Sequence, residues 1–190
     1  MNAVADPSAL RHVIVVGGTV ADWAAWSAEQ WSERLGELGK VADTVGASWL
    51  TVRPYQSAQR AAIGADADPA TGADAVPERA VAVGDCLVSA HPVADGRSRV
   101  AAAVNSLQAA GRAVTEDAIA ERLNAPAEAD PDLVVVLGSS HRLPPSLVWE
   151  LAYSELVFLD LHWANLTAAH LEEAISTYAR RNRRFGGVND

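Results

Sequence analysis

The stretch Asp130-Pro131-Asp132-Leu133-Val134-Val135-Val136-Leu137 decides the fold. A turn-forming Asp-Pro-Asp leads into five consecutive apolar residues. Because the run does not alternate, both of its faces are covered, which is the pattern of an inner strand in a parallel sheet. His12-Val13-Ile14-Val15-Val16 repeats the pattern and stops at Gly17-Gly18.

Outward from these two strands, the segments alternate in type. A helix is expected over about Asp22 to Val45, rich in Ala, Glu and Trp and stopped by Gly46. Ala47–Tyr55 supplies a strand closed by Pro54, and Val81–His91 reads as a third. Asp95 caps a helix in which Val100, Val104 and Leu107 recur at helical spacing. Thr115-Glu116-Asp117 opens another, with anionic side chains in its first turn. After Leu133–Leu137 the reading is a helix containing Trp149, Leu151 and Ala152, then a short strand near Leu156–Leu159. A final helix starts from a Thr167 cap, with Leu171, Ala174, Ile175 and Tyr178 on one face. Strands alternating with helices predict an α/β fold, with a mainly parallel central sheet flanked by helices in one domain over 1–190. Residues 56–77, rich in Ala, Asp, Gly and Pro and without periodicity, read as a flexible insert.

Composition narrows the function. Hydrophobic residues make up 49% of the 190, enough for a core, yet every strongly apolar run is strand-sized and none spans a bilayer. The first eleven residues lack the layout of a secretory signal, and the single Cys86 excludes an internal disulfide. A cytoplasmic location follows as the expectation, with Cys86 as a small core residue. A net charge of −9 argues against a nucleic-acid partner. The one dense basic run, Arg180-Arg181-Asn182-Arg183-Arg184, reads by itself as cations closing a helix C-terminus.

Trp149-Glu150-Leu151-Ala152-Tyr153-Ser154-Glu155-Leu156-Val157-Phe158 resembles the W-Q-x-A-Y-x-E-L-x-F signature of the cis-prenyltransferases, the undecaprenyl diphosphate synthase family. The likeness runs in order along nearly the whole chain. Asp160 and Trp163 follow the signature, then one amphipathic helix, then Arg183-Arg184-Phe185-Gly186-Gly187. Asp130-Pro131-Asp132-Leu133 is similar to the family's D-P-D-L, and Asp95-Gly96-Arg97 to its G-G-R. His12-Val13 and Trp23-Ala24 bracket the place of H-V-x-x-x-x-D-G-N-G-R-W-A. The resemblance implies an undecaprenyl diphosphate synthase-like fold. It also implies chemistry that joins isopentenyl diphosphate to an allylic diphosphate with Mg²⁺.

Carried over position by position, the resemblance implies losses. The metal-binding Asp is Gly18, the diphosphate-binding Arg is Asp22, and the isopentenyl-site Arg and Ser are Val136 and Pro144. A carboxylate at Asp22 repels a diphosphate. Ser27–Trp31 stands where the family writes G-H-R-x-G, and the loop after the second strand is shorter than the family's. Retained are Arg142, the Glu155 of the signature, and the terminal Arg184-Phe185-Gly186, which in the family reaches into the partner's site.

Loss of the chain's own site with retention of the trans element resembles the non-catalytic, Nogo-B receptor-type subunits of heteromeric cis-prenyltransferases. The expectation is an accessory subunit with no catalytic or metal-binding residues of its own. It would join a catalytic subunit as a heterodimer, with Mg²⁺ in the partner's site and peripheral membrane contact through the lipid product. The alternatives are an isoprenoid-binding or regulatory homodimer, and an enzyme of altered chemistry using Asp22, His91 or His141.

Overall fold

The computed structural model describes residues 10–55, 76–138, 143–152 and 154–185, with side chains through Arg181. Six strands form one sheet: β1 (His12–Val16), β2 (Trp49–Arg53), β3 (Arg79–Val83), β4 (Cys86–Ala90), β5 (Leu133–Leu137) and β6 (Glu155–Leu159). Their order is β3-β4-β2-β1-β5-β6, and only β3 runs antiparallel to its neighbour. The α/β architecture with a mainly parallel sheet is as expected. All five residues of β1 and of β5 are buried, because these strands lie inside the sheet with both faces covered.

The helices are α1 (Val20–Ala24), α2 (Ala28–Thr44), α3 (Gly96–Ala109), α4 (Glu116–Asn124) and α5 (Ala168–Phe185). Helices α2 and α5 pack on one face of the sheet, over Val13, Val15, Leu50, Val52, Val88, Leu133, Val135 and Val157. The register puts His12, Ile14, Val16, Thr51, Arg53, Ser89, Val134 and Val136 on the opposite face, where α3 and α4 lie. The face of α5 read from the sequence is the buried one, with Leu171 and Ala174 fully inaccessible.

Three local expectations are corrected. The third strand is a hairpin: Gly84, at φ +58°, and Asp85 turn the chain, and Val83 pairs with Cys86. The Asp85 N–H donates to Asp43 Oδ1 at 2.8 Å, which holds the turn against the end of α2. The long first helix is two helices, because both Thr19 with Asp22 and Ser27 with Gln30 form reciprocal capping boxes. Around Trp149 the chain makes two short 3₁₀ turns, Pro145–Leu147 and Glu150–Ala152, in place of an α-helix. Val76, near the end of the expected insert, is buried in the core. Residues 56–75 of the expected insert lie outside the described residues.

Helix α2 approaches the hairpin so closely that a Cβ at Gly39 would lie 2.7 Å from Val83 Cγ2 and 2.8 Å from Val88 Cγ2. Gly39→Ala therefore lowers the unfolding free energy by about 1–3 kcal/mol through overpacking. Gly36, in the same helix, has nothing within 4 Å of such a Cβ. Gly36→Ala raises stability by about 0.5–1 kcal/mol. Urea melts of the two variants check both signs.

Candidate functional site

The C-terminal edge of β1 is where the sequence directed attention, and it is filled from within. Gly18 adopts φ +70°, and a Cβ there would lie 3.0 Å from Trp163 Cγ. Asp22 Oδ2 accepts from the Thr19 N–H at 2.7 Å and from Thr19 Oγ1 at 2.9 Å, while the Asp22 N–H donates back to Thr19 Oγ1 at 3.1 Å. The carboxylate is thus occupied by the capping box, with His162 Nε2 at 3.9 Å beyond it. Trp23 donates from Nε1 to the Gly17 carbonyl at 2.9 Å. Trp23, Trp26, Trp31 and Trp163 pack together with ring centroids 4.9 to 5.8 Å apart. The guanidinium of Arg34 lies 4.9 Å from the centroid of Trp26 and 5.4 Å from that of Trp163.

Val136 is fully buried in an apolar cluster with Ile14, Val16, Val134 and Leu147, against which Leu156 and Phe158 pack. Pro144 is buried and its carbonyl accepts from the Leu147 N–H at 3.0 Å, starting the first 3₁₀ turn. Glu155 sits at the other end of the sheet, the N-terminal edge, because Leu133, the first residue of β5, is its partner. Four steps along parallel strands separate that edge from the Val136–Leu137 end, roughly 13 Å at ~3.3 Å per residue. There Glu155 Oε1 accepts from Arg181 Nη1 at 2.8 Å. The last turn of α5, carrying Arg184 and Phe185, follows directly. Arg142, His141 and Gly186 lie outside the described residues. The retained elements Glu155 and α5 are therefore gathered at one edge, and Gly18, Asp22 and Val136 at the other.

Sequence reasoning missed a buried polar seam on the α3–α4 face. His12 Nδ1 lies 2.9 Å from the Ala129 carbonyl and Nε2 3.0 Å from Thr51 Oγ1. Thr51 leads to Ser89 at 3.5 Å, and Ser89 to His91 Nε2 at 3.2 Å. Burial pushes the His12 pKa down to about 4. His91 is lowered as well, first by burial and then by Arg53.

Beside the seam, Arg53 and Arg99 both donate from Nη2 to the Leu123 carbonyl, each at 3.1 Å. Arg99 Nη1 lies 2.8 Å from Glu150 Oε1 but directs its hydrogen bond to the Ser146 carbonyl at 2.9 Å. Arg53 Nε is 4.0 Å from the same Oε1. The contact with Glu150 is ionic, and neither of its carboxylate oxygens has a hydrogen-bond partner. Burial, followed by the neighbouring Arg99, takes the Arg53 pKa down to about 9, which leaves it charged at neutral pH. The available signals were Arg53 interrupting an apolar strand and Arg99 in the first turn of α3. Each alone reads as a surface cation.

Residues 90–186 match the family model described as putative undecaprenyl diphosphate synthase, and the chain belongs to that family. An isoprenyl transferase of Chromobacterium violaceum is 43% identical over 96 residues, covering 50% of this chain and 38% of that protein. The (2E,6E)-farnesyl-diphosphate-specific ditrans,polycis-undecaprenyl-diphosphate synthase of Lactiplantibacillus plantarum is 46% identical over 61 residues, 32% of this chain and 24% of its own. These matches span less than two-fifths of the relatives' lengths. Among solved structures, a probable undecaprenyl diphosphate synthase from Campylobacter jejuni superposes with a TM-score of 0.58 at 17% identity, covering 98% of this chain and 100% of that one. Lavandulyl diphosphate synthase from Lavandula x intermedia gives 0.56 at 14% identity, covering 92% and 97%. These structures share the fold.

Two outcomes follow from the seam. Glu150→Gln strands two buried guanidiniums and lowers the unfolding free energy by about 3–5 kcal/mol, read by chemical denaturation at pH 7. The folded state disfavours a proton on His12, so its contribution is intact above pH 6.5 and is lost as pH falls towards 4. The loss is about 3 kcal/mol at ~1.4 kcal/mol per pH unit. His12→Gln flattens that part of the stability–pH curve.

Proposed function

We propose that the chain is a non-catalytic accessory subunit of a heteromeric cis-prenyltransferase that builds Z-polyprenyl diphosphates from isopentenyl diphosphate and an allylic diphosphate. The observation that carries this reading is the division between the two edges of the sheet. At the β1 edge, the Asp22 carboxylate is committed to its capping box and Trp163 closes on Gly18, leaving no receptor for a diphosphate among the described residues of α1 and the turn before it. The last turn of α5, which carries Arg184, lies at the opposite edge, beyond the Arg181–Glu155 pair and away from this chain's own β1 end. In this reading Arg184, Phe185 and Gly186 complete the partner's diphosphate site, with Arg142 as a further contributor, and Glu155 orients α5 through Arg181.

The residues present do not suit a Mg²⁺ ion. Glu155 is paired with Arg181, Asp22 is hydrogen-bonded to Thr19, and no group of three His, Cys, Asp or Glu side chains stands together among the described residues. The metal in this proposal belongs to the catalytic partner. No described helix is long and apolar enough to cross a membrane. In this proposal, contact with a bilayer comes through the polyprenyl product.

Co-expression with a catalytic family member from the same genome tests the proposal. The expected result is a stable complex that elongates an allylic diphosphate, no product from this chain alone, and at least about a tenfold loss of complex activity in Arg184→Ala. Turnover by the isolated chain, failure to form a complex, or full activity with Arg184→Ala would each overturn it.

A further inference from the structure

We propose that the cavity between the ends of β2 and β4 and helices α3 and α4 binds one oxyanion of the phosphate class, held by Arg53, Arg99 and Arg122. The cavity measures about 370 Å³, near the lower end of the ~300–1,000 Å³ typical of ligand pockets. It lies on the face of the sheet opposite the tryptophan cluster and requires no partner subunit.

The charge balance makes the case. Arg53, Arg99 and Arg122 line the space together with His91 and Glu78. Two of the three guanidiniums are buried and converge on one carbonyl, that of Leu123, so like charges are held side by side. Glu150 beneath them is fully buried and supplies one negative charge against two positive. Buried charge is normally balanced. With Arg122 and the largely exposed rim carboxylate of Glu78 included, three cations face two anions, in a chain whose net charge is −9.

Arg53 is 3% exposed and lines the cavity, its Nε 4.0 Å from Glu150 Oε1 and its Nη2 bonded to the Leu123 carbonyl. Guanidiniums held side by side suit a tetrahedral oxyanion, which accepts several charge-assisted bonds at once. Arg122, exposed in the last turn of α4, is placed to close the outer side.

The walls set the size and the charge of the ligand. Ala102, Ala103 and Ser106 present small side chains, leaving room for a phosphate and a few carbons. Glu78 stands at the rim, its Oε1 3.2 Å from His91 Nδ1 and its side chain 68% exposed. That carboxylate repels a second anionic group at the mouth, which favours a single phosphate over a diphosphate.

Calorimetric titration of the purified chain at low ionic strength, with inorganic phosphate in one arm and glycerol 3-phosphate in the other, tests the site. Saturable one-to-one binding is expected, with affinity reduced roughly tenfold or more in Arg122→Ala and restored in part by Arg122→Lys. Lys40→Ala, an equal charge change on α2 across the sheet, leaves the affinity unchanged. Tighter binding of the ester marks a phosphorylated metabolite as the ligand, and equal binding marks free phosphate. Arg53→Met, confirmed folded by circular dichroism, abolishes binding. If that variant does not fold, the Arg122 series decides. Absence of saturable binding at about 10 mM, where even a 1 mM site would be nearly filled, overturns the proposal. Equal weakening by Arg122→Ala and Lys40→Ala also overturns it.

Discussion

One carboxylate oxygen anchors the sheet. Asp132 Oδ2 accepts from the backbone N–H of Arg11 at 2.7 Å and of His12 at 3.0 Å, and the Asp132 N–H donates to the His12 carbonyl at 3.0 Å. The start of β5 is thereby locked to the start of β1. Side chains alternate along a strand, so a slip of one residue would exchange the two faces of the sheet. Val13 and Val15 would turn away from α2 and α5, and Ile14 and Val16 would leave the cluster around Val136. The division between an apolar face under α2 and α5 and a partly polar face under α3 and α4 rests on this register.

What was legible in the sequence follows the same logic. The strands β1, β2 and β5 and the buried face of α5 could be read because apolar patterning reports burial directly. The hairpin was missed because Gly84-Asp85 sits inside an otherwise strand-like run, and the contact that holds the turn comes from Asp43, 42 residues earlier. The break between α1 and α2 was written in Thr19-x-x-Asp22 and Ser27-x-x-Gln30, but continuous Ala and Trp composition masked it. At the β1 edge, the sequence showed that Asp22 carries charge. That this charge is spent on Thr19 is a local capping contact three residues back, whereas the closure of Trp163 over Gly18 joins segments 145 residues apart.

The polar seam could not be read at all. His12, Thr51, Arg53, Ser89, Arg99 and Glu150 come from five separate stretches of chain, and none has a neighbour in sequence that reveals its partner. Only the sheet register and the placement of α3 bring them together. Glu150 is the clearest case: as part of a recognised motif it drew notice only for its position, whereas it is a fully buried carboxylate facing two guanidiniums.

Four of the protein's six tryptophans are packed against one another at the end of β1. Rings this close exchange excitation energy, so these four respond as one coupled group. Trp23, Trp31 and Trp163 are almost completely shielded from water, with Arg34 lying over the outer rings. Near-ultraviolet dichroism and fluorescence therefore act as a built-in optical probe of the β1 edge. They register any loosening around Gly18 and Asp22, while the separate Trp49, edge-on to His12 at 6.5 Å, stands at the far edge, where α5 ends.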